Sequence, residues 1–173
     1  KIIRIGSKAK NFDAVTTWNE MEPKLFIIQE EKKRAAIAKM DSLARIEKDK
    51  NKNFRSKAKK LKSGVEIHYI NKGKGIKPVD GDEIFFYYEG YLAMNGVLFG
   101  TNRKEVMVDY GRYSEDDENK GWYDPSKTTY SSSMQLIEGF KEVLMIMNVG
   151  DKVYVYVPFE LGYGSRGMGN GAI

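Results

Sequence analysis

One histidine, His68, and no cysteine occur among 173 residues, and these two counts bound the chemistry open to the chain. Without cysteine there are no disulfides, thiol nucleophiles or thiolate-ligated zinc or iron–sulfur centres. With one imidazole there is no multi-histidine metal site, and a Ser-His-Asp relay would have to run through His68 alone. His68 falls on the polar phase of an alternating stretch, with no serine or carboxylate placed to orient it, so it reads as an exposed strand histidine. Gly162-Tyr163-Gly164-Ser165-Arg166-Gly167 has GxGxxG spacing. A dinucleotide site needs a helix opening there, however, and Met168-Gly169-Asn170-Gly171 opposes one. Glu115-Asp116-Asp117-Glu118 has charge enough for calcium but lacks the alternating ligand spacing and turn glycine of a calcium loop, and reads as a solvated acidic loop. No metal and no cofactor is expected.

The elements that would position a site differ sharply in charge. Lys24 to Lys62 carries 14 basic and 5 acidic residues, a net +9, whereas Ser63 to Ile173 carries 11 and 16, a net −5. Pro23 suits a first helical position, and no glycine or proline follows until Gly64, while Ala35, Ala36, Ala38 and Ala44 favour helix. This predicts a long basic helix over about Lys24 to Lys48, followed by a lysine-rich connector, Lys50 to Lys62. Ala36, Met40 and Leu43, with Ile46, give it a thin apolar stripe, enough to dock lightly or to bridge domains. The basic side chains have no interleaved aromatic residues and no groove-reading motif. An acidic protein surface or a larger membrane-associated complex is therefore the expected partner of helix 24–48, and nucleic acid is not. The longest apolar runs, Leu25 to Ile28 and Val143 to Met147, fall far short of the roughly 18 residues a membrane span requires.

Past Gly64 the period changes to two. Val65, Ile67 and Tyr69 alternate with Glu66, His68 and Ile70, Glu83 to Tyr88 reads as a second strand, and Asn95-Gly96 marks a tight hairpin before Val97-Leu98-Phe99. An antiparallel meander is expected here. Lys152 to Pro158 alternates again, and Ile137 to Met147 reads as one short helix stopped at Asn148-Val149-Gly150. Strands curling around one helix make an α+β domain.

Within this half, ordered motifs become recognisable: Tyr88-Glu89-Gly90-Tyr91-Leu92, Asn95-Gly96 and Phe99, Leu136-Ile137-Glu138-Gly139-Phe140, Val149-Gly150-Asp151-Lys152 and Leu161-Gly162-Tyr163-Gly164. Together they resemble the FKBP-type peptidyl-prolyl isomerases over about Gly64 to Ile173. The resemblance implies a curved antiparallel sheet wrapped around one short helix, preceded here by the long basic helix. The expected layout is 1–23 as the remnant or exit of a preceding domain, 24–62 as a basic helical linker and 63–173 as an FKBP-type domain lacking its last strand.

It also implies that Tyr88, Phe99, Leu136, Ile137, Phe140, Tyr163 and Ile173 wall a prolyl pocket, with Phe140 where the family usually places tryptophan. Tyr88 and Phe99 would enclose the proline ring. The Ile137 amide and the Tyr163 hydroxyl would donate to the bound peptide's carbonyls, and either Thr128 or Tyr130 would supply a further pocket position. Isomerising an Xaa-Pro bond breaks no covalent bond, so a dry apolar cradle that favours the twisted amide can lower a barrier of roughly 18–20 kcal/mol. Gly100 stands where the family has the pocket aspartate of its Phe-Asp-Ser-Ser run, which removes a charged partner of Tyr88. The implied function is therefore that of a folding factor isomerising proline-containing client polypeptides, with an activity that Gly100 is expected to weaken, in the bacterial periplasm or at the periplasmic face of the outer membrane. The alternative is a non-catalytic FKBP-like binding or chaperone subunit of a cell-envelope assembly. Both ends are expected to be cut: Lys1 to Gly6, with Lys8-Ala9-Lys10-Asn11-Phe12, faintly resembles the exit of a cyclophilin. The slot between Lys152 to Pro158 and Glu83 to Tyr88 is expected to be filled by further chain or by an extended partner segment.

Overall fold

The computed structural model describes residues 14–167, so the cyclophilin-like stretch before them and Ile173 lie outside the described residues. Two compact units divide the chain, Lys1–Lys39 and Met40–Ile173. Helix α1 runs from Ala14 to Arg55, longer at both ends than the expected span of Lys24 to Lys48. Pro23 lies inside it and not at its first position. There it removes one backbone hydrogen bond, to the carbonyl four residues earlier, and its ring crowds that carbonyl. In the first unit the helix exposes Trp18, Phe26, Ile27 and Ile28.

In the second unit the helix docks on a face other than the expected stripe. Met40 and Ile46 are exposed, and the buried positions are Ala44 and Phe54. The reason is the β-hairpin beneath. Gly96 has φ 77°, and a Cβ there would fall 2.0 Å from the Ala44 carbonyl oxygen, so helix and turn meet backbone to backbone. Asn51 adds a hydrogen bond from its Nδ2 to the Ala93 carbonyl at 3.3 Å. Gly96→Ala is expected to cost about 2 kcal/mol, through overpacking and the left-handed backbone. An unchanged urea midpoint would show that the contact is not tight.

The supposed connector is also structured. Lys59–Lys60 (β1) pairs with Glu66–Asn71 (β2), which pairs in turn with Lys152–Tyr156 (β7 in chain order). Between them lie Glu83–Phe86 (β3), Glu89–Tyr91 (β4), Leu98–Thr101 (β5), the short helices Lys104–Asp109 (α2) and Glu115–Asn119 (α3), Ser126–Thr129 (β6) and Glu138–Leu144 (α4). The pairing is antiparallel but not a meander: β2 pairs with β7, β3 with β6, and β4 with β5. Among the described residues β7 has no strand partner besides β2, and β3 none besides β6. Each therefore has a second edge that no described strand takes. The acidic run expected as a loop is α3, where Ser114 Oγ caps the Asp117 amide and four carboxylates sit in the first turn, the end where negative charge is favourable.

Register places Ile67 opposite Val155 and Tyr69 opposite Val153, facing Val143 of α4, with Val65 completing the core. The other face of the same strands carries Glu66, His68, Tyr154 and Tyr156, and the end of α1 covers it. Phe54 stacks on Tyr154 at 5.2 Å, and the Arg55 guanidinium lies 3.7 Å from the Tyr156 ring centre. His68 is consequently half-buried under the helix and not exposed as expected. Arg55 also makes a two-pronged ion pair with Glu66, at 2.7 and 2.9 Å.

That hydrogen-bonded guanidinium holds the Glu66 carboxyl below its ordinary value of 4.5, against the opposing effect of burial. A carboxylate lowered in the native state contributes stability that is fully present above its unfolded value and is lost as pH falls through the native one. Glu66→Gln should therefore flatten the fall in unfolding midpoint between about pH 6 and about pH 3. Parallel acid profiles for variant and parent would show that the pair contributes nothing.

Candidate active site

The aromatic residues singled out in the sequence come from four separate elements. Tyr88 lies in the two-residue break between β3 and β4, Phe99 on β5, Phe140 in the first turn of α4, and Tyr163 just after the 3-10 turn Phe159–Leu161. Phe140 meets Phe86 edge to face at 5.3 Å and Tyr88 at 6.5 Å. Phe99 meets Tyr163 edge to face at 6.1 Å and 85°. Such pairings favour the ring quadrupoles and hold each ring in one orientation. On the opposing strand, a Cβ at Gly90 would fall 2.6 Å from the Phe99 ring, so glycine is required for Phe99 to lie across the hairpin.

Burial raises the Tyr163 phenol above its ordinary value, and the nearby Tyr88 adds to the rise. Tyr163 therefore stays a neutral hydroxyl, able to donate, at any physiological pH. Neither the Tyr88 nor the Tyr163 hydroxyl has a hydrogen-bond partner among the described residues. The same holds for the amide of Ile137, the residue that caps α4 and whose own carbonyl accepts from Phe140 and Lys141. A Cβ at Gly100 would stand 3.8 Å from both Cε2 and the hydroxyl of Tyr88, in ordinary van der Waals contact with the phenol.

Other expected residues fall differently. Tyr130 is 3% exposed, packs with Met134 and Leu144, and donates its hydroxyl to the Met145 carbonyl at 3.0 Å, so it is core beneath the rings and has no free polar group. Thr128 pairs with Ile84 on the neighbouring strand. Leu136 is half-buried against the same cluster. Sequence reasoning overlooked Asn102. Only 5% exposed, it accepts from the Tyr88 amide at 2.8 Å and donates to the carbonyls of Phe86 (3.0 Å) and Asp124 (3.2 Å) and to Ser126 Oγ (3.2 Å). Nothing in its local sequence marks it, since its partners lie 14 to 24 residues away.

Two clefts of about 270 Å³ each lie apart from the rings. One, under the end of α1, is lined by Lys50, Lys57, His68 and Tyr154 among others, with no serine or carboxylate beside the imidazole. The other is lined by Tyr87, Arg103, Lys104, Glu105 and Tyr123. Neither brings a nucleophile to a base.

Antiparallel strands packed on the short helix α4, two groups of edge-to-face rings and a backbone amide without a partner among the described residues characterise this part of the α+β domain. The sequence model of the FKBP-type peptidyl-prolyl cis-trans isomerases matches residues 74–173, more than half of the chain, and the chain belongs to that family. It is 34% identical over 93 residues to FK506-binding protein 2 of Aspergillus oryzae, covering 54% of this chain and 56% of that one. It is 28% identical over 109 residues to the outer membrane protein MIP of Legionella longbeachae, covering 63% and 38%. Among solved structures it is similar to FkpA from Escherichia coli, at 24% identity and a TM-score of 0.48, covering 92% of this chain and 66% of that one. The chain thus spans about half or less of the length of these two curated relatives.

Proposed function

We propose that this chain isomerises Xaa-Pro bonds in client polypeptides, with Tyr88, Phe99, Phe140 and Tyr163 as the cradle. The observation that carries this reading is the pairing of those rings with two donors that no group among the described residues uses, the Ile137 amide and the Tyr163 hydroxyl. A proline ring enters between Tyr88 and Phe99, and the flanking carbonyls accept from the two donors. No proton or electron pair moves to the protein. The cradle excludes water from an amide whose resonance is being lost, and an apolar environment favours the less dipolar twisted form. Each thousandfold acceleration requires about 4 kcal/mol of preferential stabilisation. Leu136 is assigned to the wall of the same cradle.

The specific observation favouring a second reading is Gly100. A cradle without a carboxylate beside Tyr88 binds proline segments with less ordering of the phenol, which suits a binding or chaperone subunit. Relaxation of a cis-enriched Xaa-Pro tetrapeptide, followed with catalytic amounts of the protein, separates the two. Acceleration supports the isomerase. Binding of the peptide without acceleration supports the binding subunit, and neither would remove both. We further infer a cell-envelope setting, supported by the name of the Legionella relative, and a role for the basic helix in meeting an acidic protein surface. Among the described residues no helix is long and apolar enough to cross a membrane.

A further inference from the structure

We propose that Thr101 and Asn102 are positioning residues that clamp the backbone of Tyr88 and thereby set the phenol over the cradle. The proposal rests on the reading of the aromatic set as the isomerase site. Between β3, which ends at Phe86, and β4, which begins at Glu89, two residues leave the ladder. A backbone group without a ladder partner must be satisfied elsewhere. At Tyr88 both groups are satisfied by side chains of the facing strand. Asn102 Oδ1 accepts from the Tyr88 amide at 2.8 Å, and Thr101 Oγ1 donates to the Tyr88 carbonyl at 2.7 Å. Thr101 is itself fixed, because its Oγ1 also accepts from the Arg103 amide at 3.0 Å.

The clamp reaches further through the carboxamide of Asn102. Its Nδ2 donates to the Phe86 carbonyl, so one buried side chain holds the backbone at both Phe86 and Tyr88, the two rings that flank Phe140. The same nitrogen donates to the Asp124 carbonyl and to Ser126 Oγ. The segment between β5 and β6, which touches none of the cradle rings through its own side chains in these bonds, is thereby tied to the placement of Tyr88. With glycine at position 100 and no partner for the Tyr88 hydroxyl among the described residues, the ring is held by its backbone and by its edge contact with Phe140.

Asn102→Ala strips four hydrogen bonds from a buried site and can unfold the domain, so the deciding variant is Thr101→Val, nearly isosteric and without the hydroxyl. Three measurements are made on the whole chain: thermal midpoint, kcat and KM on an Xaa-Pro tetrapeptide, and the ring resonances of Tyr88 with labelled tyrosine. Thr101→Val is expected to melt within a few degrees of the parent, to lose about tenfold in kcat with little change in KM, and to shift or broaden the Tyr88 resonances. Thr101→Ser, which keeps the donor, restores both readouts. Parental kcat and an unmoved Tyr88 resonance in folded Thr101→Val would overturn the proposal, as would a Thr101→Ser variant as poor as Thr101→Val. If the parent itself has no turnover, the isomerase reading fails, and the Tyr88 resonances still decide whether the clamp exists.

Discussion

Replacing Phe140 by alanine should lower the unfolding free energy by about 3 kcal/mol and abolish measurable binding of proline peptides. The stability loss follows from position. Phe140 packs with the Tyr130, Met134 and Leu144 cluster and meets the edge of Phe86, so truncation leaves a cavity among neighbours on β3, on α4 and in the segment from Tyr130 to Leu136. Large-to-small changes of this kind cost about 3–5 kcal/mol, and the lower end applies because Phe140 is only partly buried. The binding loss follows because the floor of the cradle and the edge contact that orients Tyr88 vanish together. Urea unfolding and titration with a proline tetrapeptide measure the two effects. A variant as stable as the parent would place Phe140 outside the core, and undiminished binding in a folded variant would place the peptide elsewhere.

Restoring a carboxylate with Gly100→Asp is expected to raise isomerase turnover by about tenfold, with a small effect on stability. The structure supplies the space. A Cβ at Gly100 meets nothing closer than Tyr88, at 3.8 Å, which is ordinary van der Waals contact. Strand β5 continues through this position opposite Gly90, and any side chain fits its extended backbone. An aspartate there would accept from the Tyr88 hydroxyl in a charge-assisted bond and anchor the ring at its tip, as Thr101 and Asn102 anchor it at its base. The gain should appear in kcat, since the bond organises the cradle before substrate arrives. Unchanged turnover in a folded variant would mean that Tyr88 is already ordered and that the glycine has no bearing on rate.

Much of the site was legible before any coordinates because its residues are bound to local signals. The Asn95-Gly96 pair marks a hairpin turn, the alternation of Val153 and Val155 with Tyr154 and Tyr156 marks a two-faced strand, and the run from Leu136 to Phe140 marks the opening of a short helix. These patterns fix which residues share a face, because side-chain period depends on backbone geometry and not on the neighbours. With the ordered glycine and aromatic motifs they led to Tyr88, Phe99, Ile137, Phe140 and Tyr163, of which Tyr88 packs on Phe140, Phe99 packs on Tyr163 and Ile137 caps α4.

Pairing is a different matter. A period-two pattern says that a strand has two faces but not which strand lies beside it, and here β2 passes over its sequence neighbour β3 to pair with β7. The same limit explains Tyr130, which lies in the same segment as Thr128 but spends its hydroxyl on Met145, a residue brought near by α4. It explains His68 too. Alternation correctly put it opposite the Val65 and Ile67 face, but whether that face met water or a helix depended on where α1 came down. That was decided by Gly96, where the absence of a Cβ lets the helix backbone close on the turn and carries Phe54 and Arg55 over Tyr154 and Tyr156. Local chemistry, written into short stretches of sequence, determined the elements and the identity of the aromatic residues. Contacts between residues far apart in the chain, which depend on three-dimensional closure and on hydrogen bonds such as those of Asn102, decided how those residues are held.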